Sequence, residues 1–325
     1  MPAKRLSVHD YTVGWVCALP DELAAAAELL DEEHEDLEND PTDSNLYTLG
    51  RIGAHNVVIA CLPVGLVGIN SAATVATQMK SRFASVKFGL LVGIGGGVPG
   101  GEADVRLGDV VISQPYLNHG GVIQYDFGKT TPGGFQRTGY LNTPPIILLN
   151  AISKLRANQY RGKSDLSLHI ATINRQPRFA RENAGPDILY ESDYDHAGIA
   201  SRTCDQCDQR KMVHRATRDI SAGITIHYGT IASGNQVIKD AITRDQLNSD
   251  LGGVLCFEME AAGLMNFFPC LVIRGICDYA DSHKNKQWQP YAAAAAAACA
   301  KELLSIIPAN EVSSAPSIDE TMKPV

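Results

Sequence analysis

Apolar runs broken by short polar or glycine-rich segments alternate along the chain with helical patterns, which predicts strands alternating with helices. Residues 11–19 are β-branched, aromatic and apolar throughout, as in a strand buried on both faces. Pro20, Asp21 and Glu22 follow. Proline suits the first turn of a helix and acids suit its positive end, so a helix is predicted from Pro20 to about Leu30, with the acidic 31–40 run as a solvated loop. Strands at 46–52 and 56–62 meet at Gly53-Ala54-His55 as a hairpin. A helix of small residues opens within 65–71 and runs to about Phe83. Residues 88–97 then read as a buried strand entering a glycine-rich turn, where backbone N–H groups can approach a ligand.

Further strands are predicted at 107–113, at 121–127 before a 128–139 loop, and at 224–231 before a turn at 232–235. Helices are predicted from Pro144 to about Ala157 and from Tyr291 to about Ile307. The polar 158–220 stretch reads as an insertion in a single domain spanning 8–308, and 309–325 as a disordered polar tail. No internal repeat is visible. Strands that are mostly apolar throughout, alternating with helices, predict a three-layer α/β/α fold around a mixed sheet.

A chain of 325 residues, 45% of them hydrophobic, can bury a sizeable core. Its formal charge of −8 argues against a duplex nucleic-acid partner, since no basic excess exists to neutralise phosphates. No apolar segment follows the first five residues and none reaches membrane-spanning length, so no membrane partner and a cytoplasmic location are expected. Of eight cysteines, Cys17, Cys61, Cys256, Cys270 and Cys277 lie in apolar runs and read as buried free thiols. Cys204 and Cys207 alone have C-x-x-C spacing. Zinc would need two more ligands from His214, His196 or Asp205, and the pair reads instead as a loop staple or two free thiols, with no metal assigned.

Candidate chemistry lies at the ends of two apolar runs. Glu258 and Glu260 end one, and Asp278 ends the next, at 271–278. Open α/β sheets bind ligands at the carboxyl ends of their strands, so these acids are candidates for one pocket. Each has a plainer alternative: a glutamate capping a helix that begins near Ala261, an aspartate opening a loop, Glu22 complementing a helix dipole. Arg274 would orient Asp278 or a neighbouring acid, or form an ion pair at the rim of the core. The turn at 93–97 is followed by no P-loop lysine and does not meet the dinucleotide pattern.

Taken in order, Ala18-Leu19-Pro20-Asp21-Glu22-Leu23, the 92–97 glycines, Leu107-Gly108-Asp109-Val110-Val111, Glu258-Met259-Glu260-Ala261 and Arg274-Gly275-Ile276-Cys277-Asp278 resemble the nucleoside phosphorylase and nucleosidase superfamily, in its fungal branch. That superfamily includes purine and uridine phosphorylases and methylthioadenosine/S-adenosylhomocysteine nucleosidases. The likeness spans most of 11–307, leaving out 158–220. It implies a partly barrel-like central sheet, cleavage of an N-glycosidic bond, a purine nucleoside or a nucleotide such as ATP as partner, no cofactor and a homo-oligomer. By the same resemblance Asp278 protonates the leaving purine, Glu260 with Met259 and Glu258 holds the ribose, and Glu22 activates water. Bacterial phosphorylases place an arginine and a serine where this chain has Leu91 and Ile94, which favours water over phosphate as nucleophile. Ile94 and Gly95 would line the substrate. The 233–238 segment lacks the expected stacking aromatic, leaving Asn235 and Val237 beside the base and Phe127, Tyr125 or Trp288 to stack from elsewhere. His283, Lys284 and Lys286 would meet a 5′-phosphate chain or stand as solvated charges. The resemblance therefore favours a purine nucleosidase, with a phosphorylase and a non-catalytic sensing module as alternatives.

Overall fold

The apolar run near the start becomes β1 (Val13–Cys17), buried at every position, and α1 (Pro20–Glu28) begins at the proline. The structure is a computed structural model that describes residues 4–38, 40–100, 103–198, 203–218 and 223–322. After a two-residue strand, β2 (Glu32–Glu33), the hairpin of β3 (Tyr47–Ile52) and β4 (His55–Cys61) turns at Gly53, whose φ of 57° suits glycine. α2 (Ile69–Arg82) leads into β5 (Phe88–Gly97).

The sheet is mixed. β1 lies parallel between β4 and β5, and β5 runs parallel to β13 (Cys270–Asp278). β6 (Val110–Ser113) pairs antiparallel with β13 and parallel with β10 (Ile226–Gly229). β11 (Ile231–Ser233) joins β7 (Val122–Gln124) to β12 (Cys256–Glu258), and β12 crosses antiparallel onto Gly96 and Gly97 at the end of β5. That crossing carries Glu258 to the carboxyl ends of β1, β5 and β13.

Alternation along the strands divides the core between two faces. Trp15, Leu90 and Ile273 pack with α1, α3 (Ile146–Tyr160), α4 (Leu166–Ile173) and α6 (Gln289–Ser305). Val16, Leu91 and Val272 pack with α2 and Phe268 on the other side. The alanines of α6 are buried because the helix lies almost on the sheet: a Cβ on Gly275 would stand 1.9 Å from the Ala292 carbonyl oxygen.

Several local expectations are corrected. Residues 93–97 continue as strand instead of turning, and 128–139 holds an exposed hairpin of β8 (Gly128–Thr131) and β9 (Gly134–Arg137). Only a 3₁₀ turn, Ala261–Gly263, follows Glu260. α5 (Ala241–Asp250) escapes a periodicity search because only Ala241 and Arg244 are buried; its signal is the Asp240 cap, which accepts from Ile242 and Thr243 N–H at 3.2 Å. The stretch expected to be a disordered tail forms α7 (Ala309–Ser314) and α8 (Ile318–Thr321). Val312 and Ile318 are buried there, and Ile318 N–H donates to the Val86 carbonyl at 3.0 Å. Residues 1–3, 323–325 and the parts of the insertion at 199–202 and 219–220 lie outside the described residues. Among the described residues no helix is long and apolar enough to cross a membrane.

Gly275→Ala is expected to lower stability by about 2–3 kcal/mol, the cost of forcing a methyl into packed backbone. An unchanged urea midpoint would show that α6 does not seat on β13 as described.

Candidate active site

Glu22 sits one turn into α1 and is buried, only 4% exposed. Its Oε2 accepts from Ala18 N–H at 2.6 Å and Leu19 N–H at 3.0 Å, and its Oε1 from Ile94 N–H at 2.8 Å. The acid therefore caps the helix start from a buried position, not as a surface acid complementing the dipole, and also crosses to β5. Burial raises its pKa, against the lowering effects of Arg274 and the three N–H donors. A carboxylate offers about four lone-pair positions, so one remains for a water or hydroxyl.

The centre of the site is Arg274, on β13 and fully buried. One Nη is tightly paired with Glu258 Oε2 and lies 3.4 Å from Glu260 Oε2; the other donates to the Ile94 carbonyl at 3.3 Å. Glycines make the space: a Cβ on Gly93 would stand 2.5 Å from Glu22 Oε1 and 2.7 Å from an Arg274 nitrogen. Burial disfavours the guanidinium charge, but Glu258, Glu260 and Glu22 outweigh it and the pKa is raised. Glu258 is spent within the protein, accepting from Glu260 and Ala261 N–H at 3.0 Å as well as from Arg274. It anchors the turn that presents Met259 and Glu260, a different role from the substrate contact expected. Glu260 Oε1 accepts Gly68 N–H at 3.2 Å, and burial, with the Glu258 and Glu22 charges adding to it against Arg274, pushes its pKa up to about 7.

Asp278 ends β13 behind Gly96, where a Cβ would stand 2.8 Å from Oδ1. Oδ1 accepts Ala280 N–H at 2.9 Å; Oδ2 accepts the Cys277 thiol at 3.1 Å and lies 2.8 Å from Lys284 Nζ. Burial holds the Cys277 thiol protonated, so it serves as a donor. Lys284, expected to meet a 5′-phosphate chain or stand as a solvated charge, is instead paired with Asp278.

Glu22, Ile94, Gly95, Val237, Glu258, Met259 and Glu260 line one cleft of about 190 Å³, together with Lys284. Glu258 and Glu260 thus share the cleft as expected, whereas Asp278 does not line it: it stands behind Gly96, on the wall of a neighbouring cavity of about 430 Å³. Asn235 is turned away, its Oδ1 accepting Ile69 N–H at 3.2 Å and its N–H donating to Asp126. Phe127 is exposed beside Leu117 and Tyr140 in a separate hollow. Tyr125 packs behind Gly234, and Trp288 stands on the wall of another cavity. The aromatic of the cleft is Phe257, missed because it reads as an ordinary strand residue one place before Glu258. Lys284 was visible as a basic loop residue, but its pairing was not.

Comparison with known proteins follows the same outline. The model of the Phosphorylase superfamily matches residues 12–307. A nucleotide-binding leucine-rich repeat (NLR)-like protein of Hyaloscypha variabilis is 50% identical over 93% of this chain, which spans only 30% of that protein's length. A 5′-methylthioadenosine/S-adenosylhomocysteine nucleosidase of Mycobacterium bovis is 26% identical over 91% of this chain and 97% of its own. The structure of the Neisseria meningitidis 5′-methylthioadenosine/S-adenosylhomocysteine nucleosidase in complex with methylthio-immucillin-A covers 90% of this chain and 98% of its own, with TM-score 0.58 and 17% identity.

Two predictions follow from the buried charges. Arg274→Met leaves Glu258 buried without a partner and is expected to cost about 3–5 kcal/mol, part of which Glu258→Gln in the same chain restores; equal loss in single and double variants would exclude the pairing. Because the Glu260 pKa is raised on folding, the folded chain holds a proton that the unfolded chain releases between the ordinary carboxylate range and about 7. Unfolding free energy therefore falls as pH rises through that window and levels off above it. The melting temperature of the wild type, relative to Glu260→Gln, is expected to drop across that window, and parallel curves would refute the shift.

Proposed function

Since the chain belongs to the phosphorylase superfamily, whose members cleave N-glycosidic bonds with water or phosphate, we propose that it is a purine nucleosidase releasing free base and ribose. Supporting the hydrolytic reading is the placement of Glu22 in the same cleft as Glu260, with Arg274 already engaged by Glu258 and Lys284 by Asp278. An inorganic phosphate entering there would meet Glu22 and Glu260 with both nearby cations paired. Water meets a base.

In this mechanism the C1′–N9 bond breaks with its electron pair passing into the purine. Asp278 gives a proton to N7, and the Lys284 ammonium stabilises the carboxylate left behind. Glu260 holds the ribose hydroxyls and offsets the positive charge growing on the sugar, with Met259 packed beneath it. The water oxygen bonds to C1′ and passes its proton to Glu22. Val237 and Phe257 supply the apolar wall for the base. His283 stacks on Tyr190 at 4.1 Å between ring centres, and Lys284 is held by Asp278, which favours a nucleoside over a nucleotide with a phosphate chain.

Incubating the protein with adenosine, inosine, guanosine, methylthioadenosine and ATP, with and without phosphate, and separating the products tests this directly. Free purine and ribose are expected in both conditions. Ribose 1-phosphate formed only with phosphate would make the enzyme a phosphorylase, and cleavage of ATP alone would move the substrate to nucleotides. Asp278→Asn and Glu22→Gln are each expected to lower kcat by about 10²–10⁴-fold while ligand binding persists. No turnover in the wild type would point to a sensing module. In kcat/KM an acid limb is expected, falling below about 7 as Glu260 takes up a proton, and a flat profile there would contradict it.

A further inference from the structure

The insertion carries a second cluster that the hydrolytic chemistry does not use. His196, Cys204 and Cys207 bring an imidazole nitrogen and two thiol sulfurs within 4.8 Å of one another. We propose that these three side chains hold a zinc ion that cross-links two segments of the insertion beside the loop carrying Asp278 and Lys284.

The local backbone is built for convergence. Cys204–Gln206 forms a 3₁₀ turn, and Cys207 N–H donates to the Cys204 carbonyl at 3.0 Å, so two sulfurs three residues apart face one point. Cys207 is buried at 7% exposure, and His196 arrives from a separate turn. Two thiolates and an imidazole suit zinc and disfavour magnesium or calcium, which take oxygen ligands. His214, an alternative ligand by sequence, lies in a different hollow. Zinc's fourth position falls to water or to His283, whose Nε2 is buried without a hydrogen-bond partner and whose ring meets His196 edge-on at 5.5 Å.

The place of the cluster gives it a purpose. His196 N–H donates to Ser282 Oγ at 3.0 Å, within the loop that follows Asp278. A cavity of about 430 Å³ is walled on one side by Cys204 and Asp205 and on the other by Asp278, Asp281 and His283. Tyr190 and Tyr194 of the insertion stack on His283 of that loop, at 4.1 and 5.6 Å between ring centres, and a metal joining His196 to the Cys204–Cys207 turn holds the insertion in the shape that makes those contacts.

Elemental analysis of the full chain purified under reducing conditions is expected to find about one zinc per chain. The Cys204→Ser/Cys207→Ser double variant should hold less than about a tenth of that, and His196→Ala should release its zinc to a chelator at least about tenfold faster. Cobalt added to the metal-stripped wild type should give intense thiolate-to-cobalt absorption, a readout that stands even where the variants fold poorly. Equal zinc in wild type and double variant, absence of thiolate-to-cobalt absorption, or a Cys204–Cys207 disulfide found by mass under the same reducing conditions would each overturn the proposal.

Discussion

The site depends on one buried guanidinium. Arg274 lies among Glu22, Glu258 and Glu260 where water cannot screen it, and removing the guanidinium leaves buried carboxylates uncompensated. Such a cluster is costly unless every member is hydrogen-bonded. Here backbone N–H groups from the β1–α1 connection, β5, the turn after β12 and the residue before α2 serve the carboxylates, while Arg274 Nε stays buried without a hydrogen-bond partner. Four separate elements are thereby held to one charge.

Room for that charge comes from what β5 lacks. Side chains at Gly93, Gly95 and Gly96 would collide with Glu22, Arg274, the Phe257 carbonyl and Asp278. The same glycine run that suggests a phosphate cradle by sequence thus serves to admit the side chains of neighbouring strands. The strand stays extended because its neighbours pair with it on both sides to its last residues. In and beside the cleft the surroundings differ from carboxylate to carboxylate. Glu258 is neutralised by direct contact, Glu260 is pushed toward neutrality by burial and by its acidic neighbours, and Asp278 faces a lysine. One short stretch of sheet therefore presents acids with different partners.

Much of this was legible beforehand. β1, the β3–β4 hairpin, α1 and α6 follow from unbroken apolar runs, Pro20 and a glycine turn, and each forms within a few residues of its expected place. Glu258, Glu260 and Asp278 could be picked out because acids at the ends of apolar runs recur here, whereas Glu22 and Met259 were pointed to by the family resemblance. The misses share a cause. α5 has no apolar stripe, the β8–β9 hairpin is exposed, and α7 and α8 are short and polar with one buried anchor apiece, so periodicity carries no signal for them. Asn235 and Phe127 were placed by sequence order beside the cleft, but the turn after β11 and the exposed hairpin direct them elsewhere.

What the amino-acid sequence determined by itself is the alternation of buried strands with helices and the identity of the acids, because burial and local backbone preference leave a periodic trace. What only the tertiary structure decided is who pairs with whom. Arg274 with Glu258, Lys284 with Asp278, Glu22 with the Ile94 backbone and His196 with Cys204 and Cys207 are meetings that spacing along the chain does not select, whether the partners are near in sequence or, as with Glu22 and Ile94, 72 residues apart. Their energy depends on distance and burial, and neither is written in the order of residues.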